Sequence, residues 1–261
     1  MDLGLNGKRA LVLGSSQGIG AEIARVLARE GCNVYVGARR LDHIQSLADE
    51  LSEEFNVDAK AYSIDLSDGI SVEKLCEMIT HEWKIDILLN NAGGPPPSPS
   101  TGVPDEIWES SLQSLLMSTI RLSEAAVKGM RERGWGRILT VASSGVIQPI
   151  PNLAVSNTVR SAVVGFTKTL SNEVAKDGIT VNMVLPGRID TERLASIHEA
   201  SANKQGMTYE EFRDNSRSSI PARRFGTAKE FAEVAVFLMS VCASYITGSV
   251  IRVDGGVIQS V

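Results

Sequence analysis

Seven short runs rich in β-forming residues recur along the chain: RALVL (9–13), NVYVG (33–37), DAKAYSI (58–64), KIDILLN (84–90), GRILTVA (136–142), GITVNMVL (178–185) and SVIRV (249–253). Helical patterns such as GIGAEIARVLAREG and LDHIQSLADELSEEF fill the gaps. Strand, helix and strand at this spacing mean βαβ units, and so a parallel sheet covered on both faces. Right-handed crossovers then narrow the topology to a doubly wound α/β fold, a seven-stranded three-layer sandwich. The chain has 261 residues, 43% of them hydrophobic, which suffices for one domain spanning 1–261. No linker and no internal repeat divides it.

Two segments stand apart from this alternation. GGPPPSPSTGVP (93–104) follows the fourth run as a proline-rich loop. Residues 188–226 are polar, and ASANKQG interrupts any periodicity there, so this segment reads as a mobile substrate lid. Both lie at C-terminal ends of strands, where open α/β sheets bind ligands.

LVLGSSQGIGAEIARVLA sets Gly14, Gly18 and Gly20 between the first strand and the first helix. Glycines there permit a tight turn and close backbone approach to a pyrophosphate, and the helix N-terminus offers free N–H groups and a positive dipole end. This is a dinucleotide (Rossmann) signature. The second strand ends without the acidic residue that would receive ribose hydroxyls; Ala38, Arg39 and Arg40 stand there instead. A guanidinium matches a 2′-phosphate bidentately, so NADP(H) is expected in preference to NAD(H), with Arg39 the first choice for the contact and Arg40 the second. Asp65, at the end of the third strand, is either an acceptor for the adenine amino group or a helix cap within DLSDG.

Composition closes other routes. A net charge of −5 with no basic stripe argues against nucleic acid, and aromatics at 5% leave few stacking platforms. Cys32, Cys76 and Cys242 are far apart and read as small apolar fillers in a reducing compartment, with no metal-ligand cluster evident. Neither a signal peptide nor a membrane span is expected, which points to the cytoplasm.

The full set is the glycine turn, NNAG (90–93), a serine pair after the fifth strand, LPGRIDT (185–191) and the ending SYITGSVIRVDGG (244–256). In this order it resembles the short-chain dehydrogenase/reductase family over about residues 6–256, most of all the 3-oxoacyl-carrier-protein reductases and glucose dehydrogenases. The resemblance implies a cofactor groove lined by Gly14, Ser15, Ser16, Gly18, Ile19, Gly20, Asp65, Leu66, Asn91, Ala92 and Gly93, with Asn90 beside it. Pro186, Gly187, Ile189 and Thr191 would border the nicotinamide. It also implies a small-molecule substrate and a homotetramer or dimer, with helices over 104–132 and 152–176 at one interface.

The family works with Asn, Ser, Tyr and Lys, the Tyr thirteen residues after the Ser and the Lys four further on. Counted from Ser143, those positions hold Ser156 and Arg160, and the Asn position falls on Leu115. Ser143 alone matches. A phenol titrates near 10 and a neighbouring ammonium brings it lower. An aliphatic hydroxyl is a far weaker acid, and arginine keeps its proton. The proton transfer of the family therefore cannot run unchanged. Ser143, Ser156 and Arg160 remain the candidate catalytic residues, Arg160 also facing the cofactor ribose. Among other groups, Tyr209 in the lid either folds down onto the site or makes a packing or substrate contact, His198 in the lid is either an acid/base group or plain surface, and Tyr245 lies far from the nicotinamide. Three readings follow: an NADP(H)-dependent oxidoreductase with a rebuilt proton donor, a nucleotide-binding sensor or partner subunit without turnover, or a lyase or isomerase in which Arg160 anchors an anionic substrate.

Overall fold

In β1 (Arg9–Leu13) apolar residues point both ways: Ala10 and Val12 pack into one core, Leu11 and Leu13 into the other. A strand without a polar face has to lie in the middle of a sheet. It does. The computed structural model, which describes residues 1–260, has a seven-stranded parallel sheet in the order β3-β2-β1-β4-β5-β6-β9. Its members are β1, β2 (Asn33–Ala38), β3 (Ala59–Ser63), β4 (Ile87–Asn90), β5 (Gly136–Val141), β6 (Ile179–Pro186) and β9 (Val250–Val253). A two-stranded ribbon, β7 (Ile189–Asp190) with β8 (Gly226–Thr227), stands outside it.

Helices cover both faces. Residues of α1 (Gly18–Arg29), α2 (Leu41–Phe55) and α9 (Ala228–Leu238) share one core, centred on the fully buried Phe231. Residues of α3 (Gly69–His81), α5 (Ser118–Arg133) and α6 (Ala154–Val174) share the other. The chain reverses its direction of growth between β1 and β4, and the crevice at the carboxyl ends of these strands is the expected ligand site of such a sheet.

α4 (Asp105–Ser111) runs into α5 through one π-helical segment, Leu112–Met117. Such segments are rare and concentrate at functional sites. Here the hydroxyls of Ser118 and Thr119 donate to the carbonyls of Ser114 and Leu115 at 2.6 and 2.8 Å, satisfying groups that the wider turn displaces.

The segment 188–226 departs from the expectation. It holds two helices, α7 (Glu192–Gln205) and α8 (Tyr209–Ser218), between the ribbon strands. ASANKQ belongs to α7, which Gly206 ends in a left-handed conformation at φ 65°. Its periodicity is faint because its fully buried residues are only His198 and Ala202. Capping, not burial, marks these ends: Thr208 with Glu211, and Thr227 with Glu230, form reciprocal capping boxes on α8 and α9. Cys242 is exposed, contrary to its expected role as filler, while Cys32 is buried. Among the described residues no helix is long and apolar enough to cross a membrane.

Candidate active site

The crevice begins at the glycine turn. Gly14 and Gly18 take φ of 63° and 60°, a left-handed backbone that β-carbon-bearing residues avoid. Gly20 has a different reason. A Cβ there would lie 2.2 Å from the Gly14 carbonyl oxygen, so the first turn of α1 presses directly on the loop. The end of α1 is left open: Gln17 at the N-cap makes no side-chain bond to it, and no acidic residue occupies the first turn. Its free N–H groups and the dipole suit an anion.

Two of the expected groove residues are used by the fold. Ser15 is fully buried, with its N–H and hydroxyl both directed at the Gly37 carbonyl, at 3.3 and 3.4 Å. The Asn91 side chain donates to the Gly14 carbonyl at 3.2 Å and so ties the end of β4 to the glycine turn. Asn90 is buried and donates to the Ser123 hydroxyl on α5 at 3.1 Å, while its Oδ1 has no partner. Ser16, Ile19, Leu66 and Ala92 are half-buried, and Gly93 is exposed; a Cβ on Gly93 would meet nothing.

At the end of β2, Arg39 and Arg40 are both exposed. Arg40 reaches back to donate to the Gln17 side chain. The Asp65 carboxylate accepts from the Ser67 hydroxyl and N–H at 2.7 and 2.9 Å; these bonds, with the charge of Arg39, hold it below its ordinary carboxylate range. Asp65 does not cap α3. That role belongs to Asp68, which accepts from the Ile70 N–H.

Across the crevice stands the end of β6. Pro186 closes the strand, and a Cβ on Gly187 would lie 2.5 Å from the Asp254 Cα, so the VDGG ending packs flush against it. Ile189 is buried, and Thr191 caps α7. The Thr191 methyl lies 3.6 Å from where a Cβ on Gly18 would sit, so the two walls nearly meet.

The candidate catalytic residues lie on the segment after β5 and on α6. Ser143 caps a short helical turn, its Oγ accepting from the Gly145 N–H at 3.1 Å, and keeps its own proton to donate. Ser156 is buried on the first turn of α6. Arg160, one turn on, donates to the Val141 carbonyl at 3.0 Å and the Ala92 carbonyl at 3.3 Å. It thereby joins the carboxyl ends of β4 and β5. Burial, and secondly the charge of Arg193, push its pKa down to about 10. Leu115 and Arg160 line one small cavity of about 10 Å³ together with Asn90, Thr119 and Thr140. Two positions reached by counting along the sequence are thus brought together in space. Asn157, by contrast, is spent on the backbone, its amide clasping Ile150 N–H and carbonyl.

Tyr35 stacks on Trp83 at 4.2 Å, with Tyr62 against its edge. Tyr245 is fully exposed. The Tyr209 hydroxyl accepts from Arg213 at 3.2 Å within the lid. His198 is not on the surface as the sequence suggested: it is buried inside the segment 188–226, between α7 and α8, its Nε2 at 3.1 Å from the Ser216 hydroxyl. Arg193 at the start of α7 was not singled out from the sequence. Its terminal nitrogen comes to Gly94, which no one-dimensional spacing marks.

Fold and crevice together define a dinucleotide-dependent α/β protein, and the comparisons agree. The model of the family described as "Enoyl-(Acyl carrier protein) reductase" matches residues 14–258. The 3-oxoacyl-[acyl-carrier-protein] reductase FabG of Escherichia coli is 34% identical over 257 residues, covering 97% of this chain and 98% of its own. L-sorbose reductase from Gluconobacter frateurii, solved with NADPH and L-sorbose, superposes with a TM-score of 0.94 at 34% identity, both chains covered in full. Actinorhodin polyketide ketoreductase with NADPH gives 0.90 at 33%, over 97% of this chain and 98% of that one. The chain belongs to the short-chain dehydrogenase/reductase family.

Proposed function

We propose that the protein is an NADPH-dependent reductase of carbonyl compounds, similar to the 3-oxoacyl reductases, that runs without the phenol–ammonium pair of its family. The observation that carries this reading is Arg160. It stands where the family count places lysine, bonded to the carbonyls of Val141 and Ala92, next to Asn91, whose amide ties the glycine turn. NADPH, when bound, supplies a hydride.

The residues of the chain do the rest. The free N–H groups of α1 hold the pyrophosphate. Arg39, with Arg40 next to it, holds the 2′-phosphate and sets the preference over NADH. The Ser143 hydroxyl donates to the substrate oxygen. At neutral pH Arg160 places a positive charge where negative charge develops, which stabilises the transition state electrostatically. The alkoxide takes its proton from water, relayed by the Ser156 hydroxyl. The segment 188–226 closes over the substrate, and the protein works in the cytoplasm as a homotetramer.

Nicotinamide fluorescence on titrating NADPH into the protein tests the first step, and NADPH loss against ketones and acyl thioesters tests the second. NADPH should bind more tightly than NADH, and Arg39→Ala should cost about tenfold in NADPH affinity with little change for NADH, the size of one charged hydrogen bond. Ser143→Ala should lower kcat by about a hundredfold. NADPH binding without turnover of any carbonyl would instead make this a nucleotide-binding protein.

A further inference from the structure

Gly94 sits between two guanidinium groups. A Cβ built on it would lie 2.8 Å from a terminal nitrogen of Arg193 and 3.8 Å from one of Arg160. Arg160 is on α6 and Arg193 in the first turn of α7. Among the described residues neither is within ion-pair distance of a carboxylate, although twelve such pairs occur elsewhere in the molecule. Buried Arg160 uses two of its five side-chain N–H groups on backbone carbonyls, and the Arg193 side chain has no hydrogen-bond partner among the described residues.

Two cations so placed repel each other and favour any anion that enters between them. The fall of the Arg160 pKa to about 10, in which Arg193 is the second cause after burial, registers that repulsion. The N-terminus of α7, a helix of 14 residues, lies at the same point, its dipole partly offset by Glu192 in its first turn. Bare glycine at 94 lets an oxyanion reach both nitrogen tips at once. A carboxylate or phosphate has two or more oxygens to share between them.

We infer that Arg160 and Arg193 form a clamp across Gly94 for an anionic group carried by the substrate, a carboxylate or phosphate close to the reacting carbonyl. This rests on the reductase reading and narrows its substrate class. The clamp explains why arginine is used where an ammonium would suffice for a ribose: the planar fork can hold strand ends and ligand together.

The test pairs each charged probe with an uncharged twin: pyruvate against methyl pyruvate, and hydroxyacetone phosphate against hydroxyacetone. Binding to the NADPH-loaded protein is followed by nicotinamide fluorescence. At least one charged probe should bind tenfold or more tightly than its twin, and which pair discriminates separates carboxylate from phosphate. Arg193→Gln, at an exposed position that does not threaten the fold, should remove that preference while leaving NADPH affinity within twofold, and Arg193→Lys should restore part of it. No discrimination in either pair overturns the clamp. So does a tenfold loss of NADPH affinity in Arg193→Gln with discrimination intact, because Arg193 would then serve the cofactor pyrophosphate. If NADPH fails to bind the unmodified protein, the reductase reading falls separately. The same pairs titrated calorimetrically into the free protein then decide the clamp, and equal affinities reject it.

Discussion

Two buried arginines show what a structural guanidinium looks like here and what Arg160 adds. Arg137 on β5 donates to three carbonyls, those of Ser240, Gly136 and Gly178, and stacks 4.4 Å over Trp135. It is finished within the fold. Arg160 has only two carbonyls and faces the crevice. Both have their pKa pushed down to about 10, in each case chiefly by desolvation. At neutral pH both are charged, so the consequence appears only in alkali. If Arg160 supplies charge to the transition state, kcat should hold steady from pH 7 to 9 and fall as pH rises through about 10, where that charge is lost. Ser143 and Ser156 do not titrate in this range. The double variant Ser156→Tyr, Arg160→Lys brings a phenol beside an ammonium, and its pH profile should acquire a limb below 10, because the ammonium lowers the phenol from its ordinary value. Stopped-flow oxidation of NADPH across pH 7–11 measures both profiles. An unmodified protein whose rate climbs through pH 10 would exclude a role for the Arg160 charge.

At the level of elements, the lid is the least obvious part of the sequence and the one most open to titration. His198 packs inside it against the rings of Phe212 and Phe225, at 5.4 and 5.5 Å between centroids, and its Nδ1 has no partner. Burial first, then the charges of Arg188 and Arg213, hold its pKa below the ordinary 6.5; Asp190 opposes them. The sign follows. The unfolded lid takes up a proton more readily than the folded one, so folding of the lid loses stability as pH falls below about 6.5. Amide exchange in α7 and α8, corrected for the intrinsic rate, should therefore accelerate between pH 7 and 5, and His198→Gln should flatten that dependence. Equal protection at both pH values would mean that His198 does not link the lid to pH. The contrast with β1 explains what could be read from sequence. RALVL is the strand, residue for residue, because both its faces are apolar and glycine ends it. α7 buries little, so no stripe advertises it, and its His198 looked like a surface residue. The glycine turn was equally legible, since its conformation excludes other residues. The Arg160–Arg193 approach was not, because it depends on how a lid helix lies over a loop about a hundred residues away.

For the whole molecule, α6 carries the proposed catalytic groups on one side and the expected subunit contact on the other. Inside, it carries Ser156, Val159, Arg160 and Val163. Outside, Ser161, Ala162, Gly165 and Thr169 are exposed in a stripe of small residues. The hydroxyls of Ser161 and Thr169 are bonded back to the carbonyls of Asn157 and Gly165, at 2.8 and 3.0 Å, which leaves the stripe smooth. A second copy of the helix could approach such a surface closely. A Cβ at Gly165 meets nothing within 4 Å, so a large side chain there is harmless to the single chain. Arginine in place of glycine even favours the helix, by up to about 1 kcal/mol. Gly165→Arg therefore separates assembly from folding. If α6 is an interface of a tetramer, light scattering should show the variant as a smaller species while its helical circular dichroism is unchanged. Turnover should fall with dissociation, because the partner helix no longer buttresses the turns that hold Ser156 and Arg160. A variant of unchanged mass and activity would place the contact elsewhere on the molecule.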